Sequence, residues 1–290
     1  MPIDLAKVRA IDVHVHAEIS CHDPEDPVMG EFFDAASAYF KAPRERPKMP
    51  EIVELYRATN IAFCLFTVDA ESGMGTKRVS NVEVAEMAAK NDDICMAFAS
   101  IDPHKGRAGA REARCLVEEH GVRGFKFHPS IQAFSPDDPM AYPLYEAIEA
   151  LGVPALFHTG QTGIGAGLPG GRGIKLRYSA PMLLDDVAAD FPELTVVLAH
   201  PSVPWQDEAI SIATHKANVY IDLSGWSPRY FSPQLVRAAN GLLKRKVLFG
   251  SDYPLITPER WMRDFGELDV KDEVRPLILK ENAVRMLGLS

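Results

Sequence analysis

The chain has 290 residues, 47% of them hydrophobic and 24% charged, and its 31 Lys and Arg against 40 Asp and Glu give a formal net charge of −9. That is the composition of a soluble globular protein with a substantial core, and the length suits one α/β barrel. An acidic chain with no Lys/Arg cluster is a poor partner for a phosphate backbone, so nucleic acid is not expected to bind.

Short apolar, β-rich runs alternate with helical patterns, the signature of a parallel sheet built from βα units. Strands are predicted at 9–16, 61–67, 94–101, 122–128, 153–158, 194–200, 218–224 and 246–252. Between them lie helical segments. Ser80 or Asn81 is placed to cap the first (NVEVAEMAAKN), and Gly121 to close AGAREARCLVEEHG. YPLYEAIEALG, APMLLDDVAADF, WQDEAISIATHK and SPQLVRAANGLLK follow, then a closing KDEVRPLILKENAVRMLG in which Pro276 predicts a kink or a break. Eight strand–helix pairs predict a single-domain (β/α)₈ barrel over 1–290. An open doubly wound sheet is the rival, but no G-x-G-x-x-G follows the first strand. Two connections are long, residues 17 to about 50 and the Gly-rich stretch 159–179, and long βα loops are often lids or binding loops.

Cys21, Cys64, Cys95 and Cys115 lie far apart without a C-x-x-C pair, as expected of reduced cysteines. The N-terminus has no basic and apolar leader pattern, and no apolar run approaches a membrane span. A cytoplasmic location follows as the expectation.

Polar residues gather where the predicted strands end: His14 and His16 on strand one, Lys126 and His128 on four, His158 on five, His200 on six and Asp252 on eight. In a barrel those ends converge on one face, where catalytic groups collect. Residues two apart on a strand face the same side, so His14 and His16 can share one ion while Val15 faces the helices. An aspartate directly after the apolar KVLFGS run is costly unless it is paired, metal-bound or capping a turn. Each feature taken alone has a plain explanation, such as a buried histidine hydrogen-bonded to backbone. Their joint occurrence at four strand ends points to one site.

HVH, FHTG, LAHPS and GSDYP, in that order, resemble the motifs of the amidohydrolase superfamily. The likeness is to its amidohydrolase-related branch, which includes enzymes similar to aminocarboxymuconate-semialdehyde decarboxylase. The resemblance implies one divalent metal, Zn²⁺ first and Mn²⁺ second, held by His14, His16, His158 and Asp252, with His200 as the catalytic histidine. It also makes a homo-oligomer a reasonable expectation. In other branches a carboxylated strand-four lysine bridges two metals. Here Lys126 is expected instead to anchor charge near the substrate, with His128 orienting substrate or capping its strand. Glu18 is expected to be a solvated loop carboxylate. Asp222, Arg172, Arg177 and Arg229 fall in or near mouth loops, and Arg177 is the arginine expected to bind a substrate carboxylate through its planar fork.

The activity expected first is hydrolysis of a small carbonyl-containing or carboxylated substrate, aromatic ones included, by a metal-activated water, with Asp252 or His200 taking the water's proton. Non-oxidative decarboxylation of an aromatic or unsaturated acid uses the same ligands and is the alternative. A non-catalytic metal-binding barrel is the reading of a different class. Structural zinc sites are usually closed and cysteine-rich, and this set is neither.

Overall fold

The computed structural model describes residues 3–40 and 46–289. Eight parallel strands follow one another around a barrel: β1 (Ala10–His16), β2 (Ile61–Phe66), β3 (Cys95–Ala97), β4 (Phe125–Phe127), β5 (Ala155–His158), β6 (Val196–Ala199), β7 (Val219–Asp222) and β8 (Val247–Leu248). Continuous pairing runs through β1–β2–β3 and through β4 to β8. Two looser seams close the ring. Ala99 bridges Phe125, and Val15 bridges Tyr253. At the second seam the Val13 and His16 N–H groups donate to the Phe249 and Tyr253 carbonyls at 3.0 and 2.8 Å.

Period-two alternation divides the apolar residues between two layers. Ala62, Cys64 and Phe66 of β2 join Val197 and Ala199 of β6 and Leu248 of β8 in the inner cluster. Ile61, Phe63 and Leu65, with Val196 and Leu198, pack outwards with the helices. β1 departs from this rule in a useful way. Ile11 and Val13 lie in the inner cluster and Val15 in the outer one, with a register irregularity between Asp12 and Val15. A bulge re-aims the side chains that follow it, and here those are His14 and His16. Asp12 braces the bulge from behind, accepting from the Tyr56 hydroxyl at 2.7 Å and from the Ser251 and His14 N–H groups at 3.0 Å.

Ser80 does cap the helix Asn81–Lys90, and Gly121 adopts φ +70° just beyond Gly106–Glu118. The connection after β1, which reads as loop, contains a 14-residue helix, Pro27–Phe40, whose Phe32, Phe33 and Ala36 are buried. Its part at 41–45 lies outside the described residues. A helix at Pro258–Gly266 also follows β8, where none was expected. Beyond Pro276 the closing segment continues as a π-helical turn, Leu277–Glu281, into Asn282–Met286. No helix among the described residues is long and apolar enough to cross a membrane.

Trp261 locks the Pro258–Gly266 helix against the outer apolar layer of the barrel. It is fully buried between Phe249 and Phe265, and its Nε1 donates to the Leu223 carbonyl at 3.0 Å. Trp261→Ala is expected to cost about 3–5 kcal/mol, a cavity plus an orphaned carbonyl. Denaturant titration would show it, and a loss below 1 kcal/mol (of that order,) would mean that the helix is not anchored there.

Candidate active site

His14, His16 and Asp252 meet at the C-terminal mouth of the barrel. His14 Nε2 lies 3.2 Å from His16 Nε2, and both lie close to one oxygen, Asp252 Oδ1, at 3.2 and 3.0 Å. His14 is fully buried, whereas His16 and Asp252 keep 18% and 14% of their side chains exposed. Burial works against ionising Asp252, but His14 and the hydrogen bonds from both histidines hold its carboxyl well below the usual range. Burial pushes the His16 and His200 imidazoles down to about 4, and holds His128 and His158 well below the ordinary imidazole value. His16, His128, His158 and His200 are therefore neutral at neutral pH beside an ionised Asp252, whereas at His14 burial and Lys126 are outweighed by Asp222 and Asp252, which raise its imidazole.

A second tier lies behind it. Asp222 Oδ2 is 2.8 Å from His14 Nδ1, with both side chains fully buried. Burial opposes its ionisation, yet the proximity of His14 holds the Asp222 carboxyl at about 2. Ser224 donates its N–H to Asp222 Oδ1 at 2.7 Å, and its hydroxyl stands 2.9 Å from His14 Nδ1 and 2.9 Å from His200 Nδ1. His200 Nε2 continues to His158 Nδ1 at 2.8 Å. Two glycines make this density feasible. A Cβ on Gly225 would sit 2.5 Å from His200 Nδ1, and one on Gly250 would sit 2.8 Å from Asp222 Oδ1. His200 and Asp252 themselves take left-handed backbone, φ +73° and +68°. Such conformations disfavour residues other than glycine and gather at functional sites.

The other predicted residues divide into two groups. Lys126 is fully buried, with Nζ 2.9 Å from His14 Nε2 and 4.9 Å from the Phe66 ring centre, and burial lowers its ammonium to about 8. His128 stacks on His158 at 3.8 Å and meets the Thr162 hydroxyl at 3.2 Å. Lys126, His128, His158, His200 and Asp252 all line one cavity with Phe33, Phe40 and Arg46. Arg177 is not brought there: it is exposed, beside the Tyr178 ring. Arg172 pairs with Glu31 at the surface, and the exposed Arg229 reaches the buried Asp264. Glu18 is not a solvated carboxylate, because it lies mostly covered against Arg46 at 2.7 Å, and burial pushes it up to about 7.

Asp222 and Ser224 carry more of the site than sequence reasoning assigns them. The signal was available, since Asp222 ends β7 as His158 ends β5. Arg46 gave none, being separated from its strand by the long first connection.

The model of the family described as amidohydrolase matches residues 11–289. The chain belongs to the amidohydrolase family. No curated protein sequence matches this amidohydrolase, whereas solved structures resemble it over nearly its whole length. An uncharacterized TIM-barrel protein, Bb4693, from Bordetella bronchiseptica is 23% identical, with TM-score 0.77, over 97% of this chain and 99% of that one. The 5-carboxyvanillate decarboxylase of Sphingomonas paucimobilis is 17% identical, with TM-score 0.69, over 98% and 100%. A dihydroxybenzoic acid decarboxylase of Polaromonas, solved with manganese and the inhibitor 2-nitroresorcinol, is 18% identical, with TM-score 0.67, over 97% of each chain.

The amidohydrolase residues fit a divalent ion. Ligand atoms sharing one such ion lie about 3.0–3.4 Å apart, for four or six ligands at ordinary bond lengths. The His14, His16 and Asp252 atoms already stand at 3.0–3.2 Å from one another. His158 Nε2 is buried and has no partner, as a further ligand atom would be. Because the two apolar layers are built without these groups, chelation should leave the fold standing. The expected loss is about 3 kcal/mol of ligand stabilisation, seen by calorimetry as a Tm lower by roughly 5–10 °C. Cooperative unfolding lost altogether on chelation would favour a structural metal.

Proposed function

We propose that this protein is a metal-dependent carboxy-lyase acting on a hydroxylated aromatic acid. One observation carries the reading: two cations, Lys126 and Arg46, line the cavity beside the His14–His16–Asp252 cluster together with the rings of Phe33 and Phe40. That combination suits an aromatic ring bearing a carboxylate. The resemblance to the Sphingomonas and Polaromonas decarboxylases supports it.

His14, His16, His158 and Asp252 would hold the ion, which supplies positive charge for a substrate carboxylate or hydroxyl oxygen. Zinc suits the histidine-rich set, and manganese is what the Polaromonas enzyme binds. Lys126 and Arg46 would bind and orient the carboxylate, and the apolar walls would exclude water. Asp252, ionised at rest, would take the proton of the substrate hydroxyl. The bond from ring carbon to carboxylate breaks, CO₂ leaves, and the electron pair stays on the ring carbon. Asp252 then returns its proton to that carbon.

Hydrolysis is the second reading. It is favoured by His200, a neutral histidine lining the same cavity and able to accept a proton from water. Incubating the metal-loaded protein with hydroxybenzoates, and in parallel with aryl esters and lactones, separates the two. Release of CO₂ with formation of the matching phenol is expected. Turnover of esters or lactones without CO₂ from any acid would replace the lyase reading with the hydrolytic one.

A further inference from the structure

The metal-side cavity has a volume of about 100 Å³. A cavity of about 150 Å³ takes up one benzene, so this space is tight for a whole substituted benzoate and suits its reacting end. It shares His16, Glu18, Phe33, His128 and Ile164 with a second chamber of about 260 Å³, which runs out between the first two βα connections. That chamber is walled chiefly by Met29, Val68, Val79, Ile131 and Ile164. Several charges at its border have partners. Lys77 Nζ holds Asp23 at 2.7 Å, Asp26 accepts the Lys77 N–H at 2.9 Å, and Arg78 is paired with Asp69 and Glu112.

We infer that the substrate is a two-part molecule: a carboxylic acid head at the metal-side cavity, continued by a neutral aryl or alkyl arm that fills the outer chamber. The identity of the head rests on the carboxy-lyase reading, while the arm rests on the volumes and walls alone. A single hydroxybenzoate would leave most of the chamber wet. An arm the size of a phenyl group would exchange that water for apolar contact with Met29, Val79 and Ile131. No charge on the arm is called for where it meets the apolar walls of Met29, Val79 and Ile131.

Calorimetric titration of the metal-loaded protein tests this with two ligand series. One compares 2-hydroxybenzoate with its 4-phenyl and 5-phenyl derivatives, and the other compares benzohydroxamate with 4-phenylbenzohydroxamate. A phenyl extension should tighten binding by at least about tenfold. In Val79→Trp and in Met29→Trp, which narrow the chamber, that gain should fall below about twofold, with the short ligands unaffected. Hydroxamates that gain from the phenyl group while carboxylates fail to bind would support the chamber and sink the carboxylate head. Hydroxybenzoates that bind equally with and without the phenyl group would overturn the arm and leave the head standing. A gain that survives in both chamber variants, or no binding in either series, would also overturn it. If neither variant folds, the two ligand series decide the matter alone.

Discussion

Asp252→Asn is expected to empty the metal site and to lower turnover at least about a thousandfold, a loss of roughly 4 kcal/mol of transition-state stabilisation, in a protein that still folds. Asp252 Oδ1 is the point on which both His14 Nε2 and His16 Nε2 converge. Asparagine keeps an oxygen of the same shape but removes its charge, so a dication would face neutral imidazoles and Lys126 with one compensating carboxylate fewer. The fold has little reason to respond. The Asp252 N–H donates to the His14 carbonyl at 3.0 Å and its carbonyl accepts from Leu255 N–H at 2.9 Å, and both bonds are made by backbone. The left-handed φ of +68° is one that asparagine tolerates better than most residues. Elemental mass spectrometry beside a denaturation curve reads both halves of the expectation. A variant that keeps a full equivalent of metal would remove Asp252 from the ligand set.

The barrel was legible because its strands are apolar runs in fixed alternation with helices, and because the chemistry stands at strand ends where spacing alone brings it together. His14, His16, His158, His200 and Asp252 could be gathered in that way from the chain alone. The same rule reaches Asp222, which the sequence places in or near a mouth loop, but its partnership with His14 depends on where β7 lies relative to β1. The bulge that turns His14 inward is invisible in H-x-H itself, since strict alternation would assign the same face to both histidines without it. Arg46 and Glu18 pair across the long first connection, and a contact made by an irregular segment has no periodicity to read. The helix Pro27–Phe40 was hidden for a related reason. Its start sits in an acidic, proline-rich stretch, and its buried Phe33 and Ala36 line the mouth cavity and not the layer that covers the barrel strands. Arg177 shows the opposite error: an arginine in a glycine-rich loop can sit anywhere on the rim, and this one faces solvent.

Asp222→Asn should weaken metal binding by about 10–100-fold or more, the range in which partners of metal-binding histidines act. The reason is a proton. An ionised carboxylate only accepts, so Asp222 Oδ2, 2.8 Å from His14 Nδ1, requires that nitrogen to carry hydrogen, which leaves the lone pair on Nε2 for an ion. An asparagine amide can instead donate to Nδ1 and move the proton to Nε2. In serine proteases the same exchange, by trapping the wrong tautomer, costs about 10⁴ in turnover. Ser224 extends the logic. With His14 Nδ1 a donor, the Ser224 hydroxyl accepts from it and is free to donate to His200 Nδ1. His200 Nε2 then donates to His158 Nδ1, which puts the His158 proton on Nε2. An ion on His158 Nε2 demands the reverse order, with His158 donating to His200 and His200 to Ser224. Ser224→Ala removes the group that accommodates both orders, so its expected effect is smaller, about tenfold in affinity, and is joined by altered ¹⁵N shifts of the His158 and His200 rings on metal loading. Chelator competition measures the affinities. Wild-type affinity in Asp222→Asn would show that His14 takes its tautomer from another partner.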